Sequence, residues 1–573
     1  MRPSEKVRQL APEMDPLRLG MGWTPEDLEK PQILVESTFG DSHPGSAHLL
    51  ELVNNACLGV QEAGGRAARY FVTDICDGQA QGHDGINYSL ASRDMIANMV
   101  EIHNGATPFD AGVFLASCDK GLPGLMMGIG RTNLAAVVVP GGVMEAGPDL
   151  LTLEQIGKYS AQCQRGEITK EKFLYYKQHA CPSCGACSFM GTAGTMQVMS
   201  EALGLALPGT ALLPATCPDL QQVAVRAGKQ AMKLALDGVT ARDIVTADSF
   251  ENAVIVHAAI SGSTNALLHL PAIAHEFGIH LDGETFERIH KNARYILDVR
   301  PAGRWPAEYV YYAGGVPAIM EELRSLLHLS AMTVTGKTVG ENLEDLKASN
   351  YYQQCAVYLK KTGLKREEIL RPLDAPIGAH GTVAILRGNL APDGAVVKHS
   401  AVPKEMYCVT LRARPFDCEE EAIDAVLRHE IQPGDAVFIR YEGPKGSGMP
   451  EMFYTTEAIA SDETLGKTIA LITDGRFSGA SKGPAIGHVS PEAAVGGPIA
   501  LVEENDLIHI DIPNRVLEIV GVKGEAKTPA EMEEILAKRR AAWQPRPLRY
   551  QSGVMKLYSQ HAVDPMKGGY MDE

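Results

Sequence analysis

The segment GVFLASCDKGLPGLMMGIGRTNLAAVVVPGG, residues 112–142, has an apolar run on each side of a helical pattern. GVFLAS predicts a buried strand, GLMMGIGRTN a short helix, and LAAVVVPGG the next strand. This β-α-β order indicates a parallel sheet in an α/β domain. Its loop, CDKGLPG, then lies at the carboxyl end of a strand, where open parallel sheets bind their ligands.

The sequence pattern changes near Ile377. From there the chain consists of short alternating or apolar runs between turn residues: GTVAILRGNL, GDAVFIRYEG, KTIALITDG, GPIALVEEN and DLIHIDIPN. With 573 residues the chain is long enough for two or more domains. The patterns predict an α/β N-terminal domain with a parallel sheet over residues 1–370 and a β-rich, barrel-like C-terminal domain over residues 371–573. The charged stretch 360–378 is the expected join.

Composition limits the partners. The formal net charge is −17 and no Lys/Arg-rich patch occurs, which argues against nucleic acid and anionic membrane surfaces. No apolar stretch is continuous enough for a secretory signal or a membrane-spanning helix, so a cytoplasmic protein is expected. Eleven cysteines in such a chain indicate reduced thiols, some of them metal ligands. The negative net charge does not exclude a small anionic substrate, because a metal ion can make the charge of one pocket positive.

Two loops carry groups suited to metal binding. SCDKG, residues 117–121, sets a thiol, a carboxylate and an amine side by side at a strand end, although a capped turn with a chance cysteine would look the same. Upstream, DICDGQAQGHDGINYSLASRD places Asp77 and Asp84 among glycines. That composition suits a loop around a hard cation, or an ordinary acidic turn.

The densest cysteine cluster is CPSCGAC, residues 181–187. A zinc ribbon would need a second ligand pair, and no other C-x-x-C or H-x-x-H follows. Cys187 is nearest to the following predicted helix, whose N-terminal dipole favours a thiolate. It is therefore the better ligand candidate of the three.

Hydroxyl groups mark two further loops. Ser263 and Thr264 stand at a predicted helix start, where they could bind a substrate carboxylate or simply cap the helix; capping is slightly favoured. Ser478, in RFSG, is not next to a His or Asp in the sequence and does not fit G-x-S-x-G. If Ser478 is catalytic, a nearby metal must lower its pKa.

Five segments in this order identify a family: SCDKGLPGLMMG, CGACSFMGTAGTM, SGSTNALLHLPAIAHE, GPKGSGMPEM and DGRFSGASKGPAIGHVSPEAAVGGPIAL. They resemble the dihydroxy-acid and sugar-acid dehydratases, the family that includes phosphogluconate dehydratase, and the resemblance spans nearly the whole chain. It implies a two-domain enzyme, expected as a homodimer or homotetramer. Its active site would hold an iron–sulfur cluster beside a Mg²⁺ ion and eliminate water from a small-molecule acid.

The resemblance also implies residue roles. The cluster ligands would be Cys118 and Cys187; the Mg²⁺ ligands Asp77, Asp119, Lys120 and Glu451; and the catalytic residues Ser478, as base, and Lys120, which can be carbamylated in the family.

One departure concerns the third cluster ligand. Family members with a 2Fe–2S cluster carry a cysteine in PCNxHL, whereas this chain has PGSAHL, with Gly45 at that position. Cys76, next to Asp77, is the nearest candidate replacement; Cys57, Cys184 and a different cluster type stay open. A 2Fe–2S cluster is favoured over 4Fe–4S.

The phrases GDSHPGSAHL, VTDICDGQAQGHDGINYSL and AVDPMKGGYM look most like a sugar-acid subgroup associated with xylonate dehydration. They predict dehydration of an aldonic acid, a pentonate such as xylonate, to a 2-keto-3-deoxy acid in carbohydrate metabolism. One alternative is the same reaction on 2,3-dihydroxy-3-methyl acids of branched-chain amino acid synthesis, which would need an apolar wall in the pocket. Another is a non-enzymatic iron–sulfur protein that uses Cys118 and Cys187.

Overall fold

The computed structural model describes residues 1–462, 464–479 and 483–572. Its first sheet is parallel, with strand order β2-β1-β3-β4, and comprises β1 Gln32–Ser37, β2 Arg66–Phe71, β3 Ala111–Ala116 and β4 Ala136–Pro140. Every residue of β1, β3 and β4 is buried, as expected where helices cover both faces of a sheet. The prediction of an α/β N-terminal domain with a parallel sheet is confirmed.

The α-helices of the described residues are, in chain order, α1 Pro3–Leu10, α2 Met14–Gly20, α3 Pro25–Glu29, α4 Leu49–Glu62, α5 Asp77–Ala80, α6 Ser89–Ala106, α7 Gly121–Thr132, α8 Ile156–Gln164, α9 Lys170–His179, α10 Thr192–Ala202, α11 Pro218–Asp237, α12 Ala241–Ile244, α13 Ala247–Ile260, α14 Ala266–Glu276, α15 Gly283–Asn292, α16 Glu308–Tyr312, α17 Gly315–Glu322, α18 Val339–Ala348, α19 Tyr351–Thr362, α20 Glu419–Leu427, α21 Phe453–Ser461, α22 Leu465–Thr468, α23 Pro529–Ala542 and α24 Gly553–His561. Within the residues described, none of these helices is long and apolar enough to cross a bilayer.

The second sheet has nine strands in the order β13-β12-β11-β7-β8-β9-β10-β6-β5. They are β5 Val383–Leu386, β6 Gly394–Lys398, β7 Cys408–Phe416, β8 Asp435–Ile439, β9 Ala470–Thr473, β10 Ala485–Ser490, β11 Leu507–Asp511, β12 Val516–Val522 and β13 Glu525–Ala526. Strands β7 to β10 run parallel and the outer pairs antiparallel, and the sheet curls into half of a barrel. The β-rich character is thereby confirmed, while the division between residues 370 and 371 stays a prediction.

One predicted strand is wrong. GPIALVEEN forms a short 3₁₀-helix, Pro498–Leu501, in which Pro498, Ile499 and Leu501 are buried. A proline cannot donate to a sheet ladder, but it fits the first position of a helical turn. The apolar residues of this segment therefore pack into the core without joining the sheet.

The β3-α7 connection is where the first sheet meets the site. Ser117 to Lys120 follow β3 directly, and α7 begins at Gly121, packed closely on Asp74. A Cβ atom on Gly121 would lie 2.5 Å from Asp74 Oδ2, so a larger residue would force the two segments apart. This close approach fixes the position of the Cys118 to Lys120 loop.

Candidate active site

One cavity brings together half of the predicted site residues. It has a volume of about 460 Å³ and is lined by Asp77, Asp119, Cys187, Glu451 and Ser478, among others. Asp77 begins α5 and Asp119 follows β3, whereas Glu451 and Ser478 come from loops near the second sheet. The cavity therefore lies where residues of both sheets' loops meet.

Two buried cations balance these carboxylates. Lys120 Nζ donates to Asp77 Oδ2 at 2.8 Å. Arg476 donates through Nη2 to Asp77 Oδ2 at 3.3 Å and to Ser89 Oγ at 2.9 Å, and through Nη1 to Glu451. Both cationic side chains are fully buried. The sequence interpretation included Lys120 but missed Arg476, although it lies two residues before Ser478.

The carboxylates respond differently to this environment. Burial alone would raise the pKa of Asp77, but the charges of Lys120 and Arg476 prevail and lower it. For Asp119, burial raises the pKa to about 7, the charges of Asp77 and Glu451 add to the rise, and Lys120 opposes it. The protein therefore compensates the charge of Asp119 less than that of Asp77, and a divalent cation would supply that compensation.

Glu451 is held by amide groups. Gln81 Nε2 donates to Oε2 and Asn265 Nδ2 to Oε1, each at 2.9 Å. Asn265 Nδ2 also donates to Thr192 Oγ1 at 2.8 Å, and that hydroxyl lies 3.1 Å from Ser263 Oγ. Together with Arg476, these amides fix Glu451 from three different segments of the chain.

The two predicted substrate-binding hydroxyls lie beside the main cavity. Ser263 is fully buried, and its Oγ accepts from the N–H of Asn265 at 3.2 Å. Ser263 and Thr264 line a smaller neighbouring cavity that shares Ser478 with the main one. Helix α14 starts only at Ala266, so Ser263 supports the turn before the helix. Their substrate-binding role stays a prediction.

A nitrogen and two sulfur atoms form a second group. One ring nitrogen of His43, the Sγ atom of Cys76 and the Sγ atom of Cys118 all lie within 4.8 Å of one another. A hydrogen bond from Cys118 lowers the pKa of Cys76 to about 6, against the effect of burial. Burial would lower the pKa of His43, but its hydrogen bond with Asp74 and the charges of Asp74 and Cys76 raise it. The sequence interpretation included both cysteines and missed His43.

The three cysteines of CPSCGAC occupy different environments. Cys187 is half-buried and lines the main cavity, and burial raises the pKa of its thiol well above the usual range. Cys184 is half-buried and Cys181 is exposed. The structure thus brings Cys187, but not Cys181 or Cys184, to the cavity lining.

The loop that carries Glu451 is fastened by a buried carboxyl group. Glu492 accepts hydrogen bonds from the N–H groups of Lys445 and Gly446, each at 3.0 Å. Burial raises the pKa of Glu492 to about 8, and the charge of Asp474 adds to the rise. At neutral pH this side chain is largely protonated.

We expect this group to make the protein less stable as the pH rises. The folded chain keeps the Glu492 proton where the unfolded chain has lost it, so its stabilising effect is complete below pH 4.5 and disappears as the pH rises to about 8. Within that window one such group changes the free energy of unfolding by up to about 1.4 kcal/mol per pH unit. Melting temperatures of Glu492→Gln should therefore fall less steeply with pH than those of the wild type. An exposed Glu533→Gln variant is the control, and equal slopes in all three proteins would contradict the expectation.

The chain is similar to known proteins of one family over most of its length. The N-terminal model of the dihydroxy-acid/6-phosphogluconate dehydratases matches residues 30–342, and the C-terminal model matches residues 368–569. A dihydroxy-acid dehydratase of Agathobacter rectalis is 44% identical over 562 residues, covering 96% of this chain and 95% of the relative. The dihydroxy-acid dehydratases of Moorella thermoacetica and Methanosarcina acetivorans are 43% and 41% identical to this chain. Each alignment covers 96% of this chain and 96% of the relative.

These relatives correct one prediction. The interpretation of the substrate as an aldonic acid such as xylonate, with a place in carbohydrate metabolism, is wrong, because these relatives are all named dihydroxy-acid dehydratase. The phrases that suggested xylonate include His43, Gly45 and Asp77, beside the thiols and carboxylates described above. Motifs of this kind do not by themselves identify the substrate of one member of a family.

Proposed function

This chain belongs to the dihydroxy-acid/6-phosphogluconate dehydratase family and is a hydro-lyase, and on this premise we propose that its substrate is a 2,3-dihydroxy acid with a methyl group on carbon 3. Such acids are intermediates of branched-chain amino acid synthesis. The observation that carries the proposal is an apolar part of the cavity lining, formed by Leu153, Ile156, Phe189 and Phe453. Methyl groups gain from such a wall, whereas the distal hydroxyls of an aldonate would lose hydrogen bonds there.

The donor groups fit the two cofactors that the family implies. Three carboxylates, Asp77, Asp119 and Glu451, line one cavity, and oxygen donors of this kind suit Mg²⁺. Thiols with one buried, unpartnered ring nitrogen beside them suit an iron–sulfur cluster. We propose that Cys118 and Cys187 are two cluster ligands and that the third comes from Cys76 or His43. The preference for a 2Fe–2S cluster stays a prediction, as do carbamylation of Lys120 and assembly as a homodimer or homotetramer.

The reaction removes a proton from carbon 2 and a hydroxyl group from carbon 3, and the resulting enol becomes a 2-keto acid. When bound, the two metal groups would supply Lewis acidity to the substrate oxygens. Ser478, which lines both cavities, takes the proton from carbon 2. A serine hydroxyl is a weak base, so this role requires the cations of the site to favour its deprotonated form. Lys120 and Arg476 hold Asp77 ionised and in place through their hydrogen bonds.

The direct test is a substrate comparison under anaerobic conditions. Protein purified without oxygen and supplied with Mg²⁺ is assayed for 2-keto acid formation from 2,3-dihydroxyisovalerate and from a panel of pentonates, with iron and sulfide measured on the same sample. We expect kcat/KM for the branched acid to exceed that for pentonates by about 10-fold or more. Preference for a pentonate would refute the proposed branched substrate. Absence of turnover in cluster-loaded protein would favour the non-enzymatic alternative.

A wall variant sharpens this comparison. Leu153→Ser removes apolar contact from the cavity and should raise KM for the branched acid about 10-fold, because one methyl contact in a pocket contributes about 1–3 kcal/mol. Leu174→Ser is the matched control, since Leu174 is 53% exposed. An unchanged KM in Leu153→Ser would place the methyl groups elsewhere in the cavity.

The amide groups around Glu451 give a prediction for Mg²⁺. Replacement of Asn265 by alanine removes the donor to Glu451 Oε1 and should weaken Mg²⁺ binding about 10- to 100-fold, the usual effect of losing a group that orients a metal ligand. Calorimetric titration of the purified protein with Mg²⁺ measures this change. Asn55→Ala, on an exposed surface of α4, is the control and should bind Mg²⁺ like the wild type. Equal affinities in both variants would exclude Glu451 as a ligand that depends on Asn265.

A further inference from the structure

We propose that Nδ1 of His43 is the third protein ligand of the iron–sulfur cluster. It would replace the cysteine that family members with a 2Fe–2S cluster have at the position of Gly45. The inference rests on the proposed function, since it presupposes a cluster in this site. A cluster with four terminal positions, one of them open to substrate, needs three protein donors. Cys118 and Cys187 provide two, so the choice is between His43 and Cys76.

The space around Gly45 favours His43. A Cβ atom built on Gly45 would lie 3.1 Å from Cys118 Sγ and 3.1 Å from His43 Nδ1. A cysteine at position 45 would therefore direct its sulfur into the region that the His43 ring nitrogen now borders. Because glycine leaves this region open, the imidazole reaches the side of Cys118 where the family's cysteine would lie.

The two ring nitrogens of His43 have different surroundings. Nε2 lies 3.1 Å from Asp74 Oδ1 and 3.0 Å from Ser46 Oγ. Ser46 Oγ donates its own proton to the carbonyl of Gly40, at 2.6 Å, so it can only accept from the ring. Nε2 therefore carries a proton, and in the neutral ring the lone pair is on Nδ1.

Nδ1 is buried and has no hydrogen-bond partner in the described structure. Buried polar atoms in this state are rare and call for an explanation such as a bound ion. Metal-bound histidines usually donate their other N–H to a carboxylate, as His43 does to Asp74. Iron would displace any proton on Nδ1, as metals displace the protons of their ligands.

Cys76 has other interactions. Its backbone carbonyl accepts the N–H of Gln79 at 3.0 Å, in the first turn of α5. Cys76 also directly precedes Asp77, the proposed Mg²⁺ ligand, and so belongs to the segment that the other metal would fix.

The turn that carries His43 is tied to both cysteine loops. Ser117 Oγ donates to the carbonyl of Gly45, and the N–H of Gly185 donates to the carbonyl of Pro44 at 2.9 Å. Ser117 precedes Cys118, and Gly185 lies two residues before Cys187. The backbone thus holds His43 in register with the segments that supply the two thiolates.

The ligand has a chemical consequence. A neutral imidazole in place of a thiolate leaves the cluster with less negative charge, which raises its reduction potential and makes its iron a better Lewis acid. His43→Cys should therefore retain the cluster and shift its midpoint potential to a more negative value. His43→Ala should lose most of its iron and sulfide, and Gly45→Cys in the His43→Ala background should restore them.

The decisive experiment is pulsed electron paramagnetic resonance on the reduced, cluster-loaded protein, with ¹⁵N-labelled and unlabelled histidine compared. We expect the hyperfine coupling of a directly bound nitrogen in the wild type, in Cys76→Ser and in the control His83→Ala, whose altered residue is exposed. In His43→Cys the coupling should disappear while iron and sulfide stay at wild-type levels.

Three results would overturn the inference in distinguishable ways. A wild-type cluster without nitrogen coupling, in a protein that still dehydrates its substrate, would refute the His43 ligand and leave the proposed function intact. Loss of the cluster in Cys76→Ser, with His43→Ala unaffected, would assign the third ligand to Cys76. A wild-type protein that assembles no cluster would refute the ligand and the proposed function together.

Discussion

Replacement of Ser478 by alanine should lower kcat about 10²- to 10⁴-fold, the usual contribution of a positioned general base. Ser478 lines both the main cavity and the smaller one beside it, so it adjoins the space available to substrate. The substitution removes one oxygen and should leave KM, iron, sulfide and Mg²⁺ contents near wild-type values. A substrate deuterated at carbon 2 should show a larger isotope effect in the variant, because proton removal then limits turnover.

Ser349→Ala is the control for this experiment, since Ser349 is exposed and its hydroxyl bonds to near neighbours in sequence: it donates to the carbonyl of Leu346 and accepts from the N–H of Tyr351. The base assignment fails if Ser478→Ala keeps full kcat with an unchanged isotope effect. A variant that loses its cluster as well as its activity would show instead that Ser478 supports the cofactor site.

Replacement of Arg476 by methionine should cost about 3–5 kcal/mol of stability, the range for removing one partner of a buried ion pair. Arg476 is fully buried between Asp77 and Glu451, and methionine leaves both carboxylates without its charge. The midpoint of denaturant unfolding, measured on metal-free protein, should fall accordingly. Added Mg²⁺ should return part of the loss, because it supplies positive charge to the same oxygens.

A surface ion pair provides the comparison. Arg428 pairs with Asp424 at 3.2 Å, and both side chains are more than 60% exposed, so Arg428→Met should change stability by about 0–1 kcal/mol. Similar losses in the two variants would mean that Arg476 contributes through packing and not through its charge. Substantial activity in Arg476→Met would show that Asp77 can be held in place by Lys120 and Ser89 alone.

The sequence predicted well what depends on local pattern. The β3-α7-β4 unit was predictable because strands buried on both faces form continuous apolar runs, and its loop location followed from parallel-sheet topology. GPIALVEEN shows the limit of that rule, since an apolar run near a proline can form a 3₁₀-helix equally well.

The motifs name Asp119 and Glu451 as candidate metal ligands, and the structure brings both to one cavity, while their roles stay predictions. Arg476, Asn265 and His43 were missed because their roles depend on partners distant in sequence; Arg476 and Asp77 are 399 positions apart. The substrate was predicted wrongly for a related reason. The apolar wall includes Leu153 and Phe453, which belong to none of the segments that suggested xylonate.

The division of the site between early and late parts of the chain has a consequence for its biosynthesis. His43, Cys76, Cys118 and Cys187 precede Glu451 by more than 260 residues, and the hydrogen bonds of Arg476 come later still. At a translation rate of about 5–20 residues per second, Cys187, the last of these thiols, leaves the ribosome roughly 13–53 s before Glu451. During that interval the main cavity lacks the loops of Glu451 and Ser478, which line it together with Cys187. Iron–sulfur assembly on the nascent chain would therefore protect the thiols at the stage when they are most vulnerable.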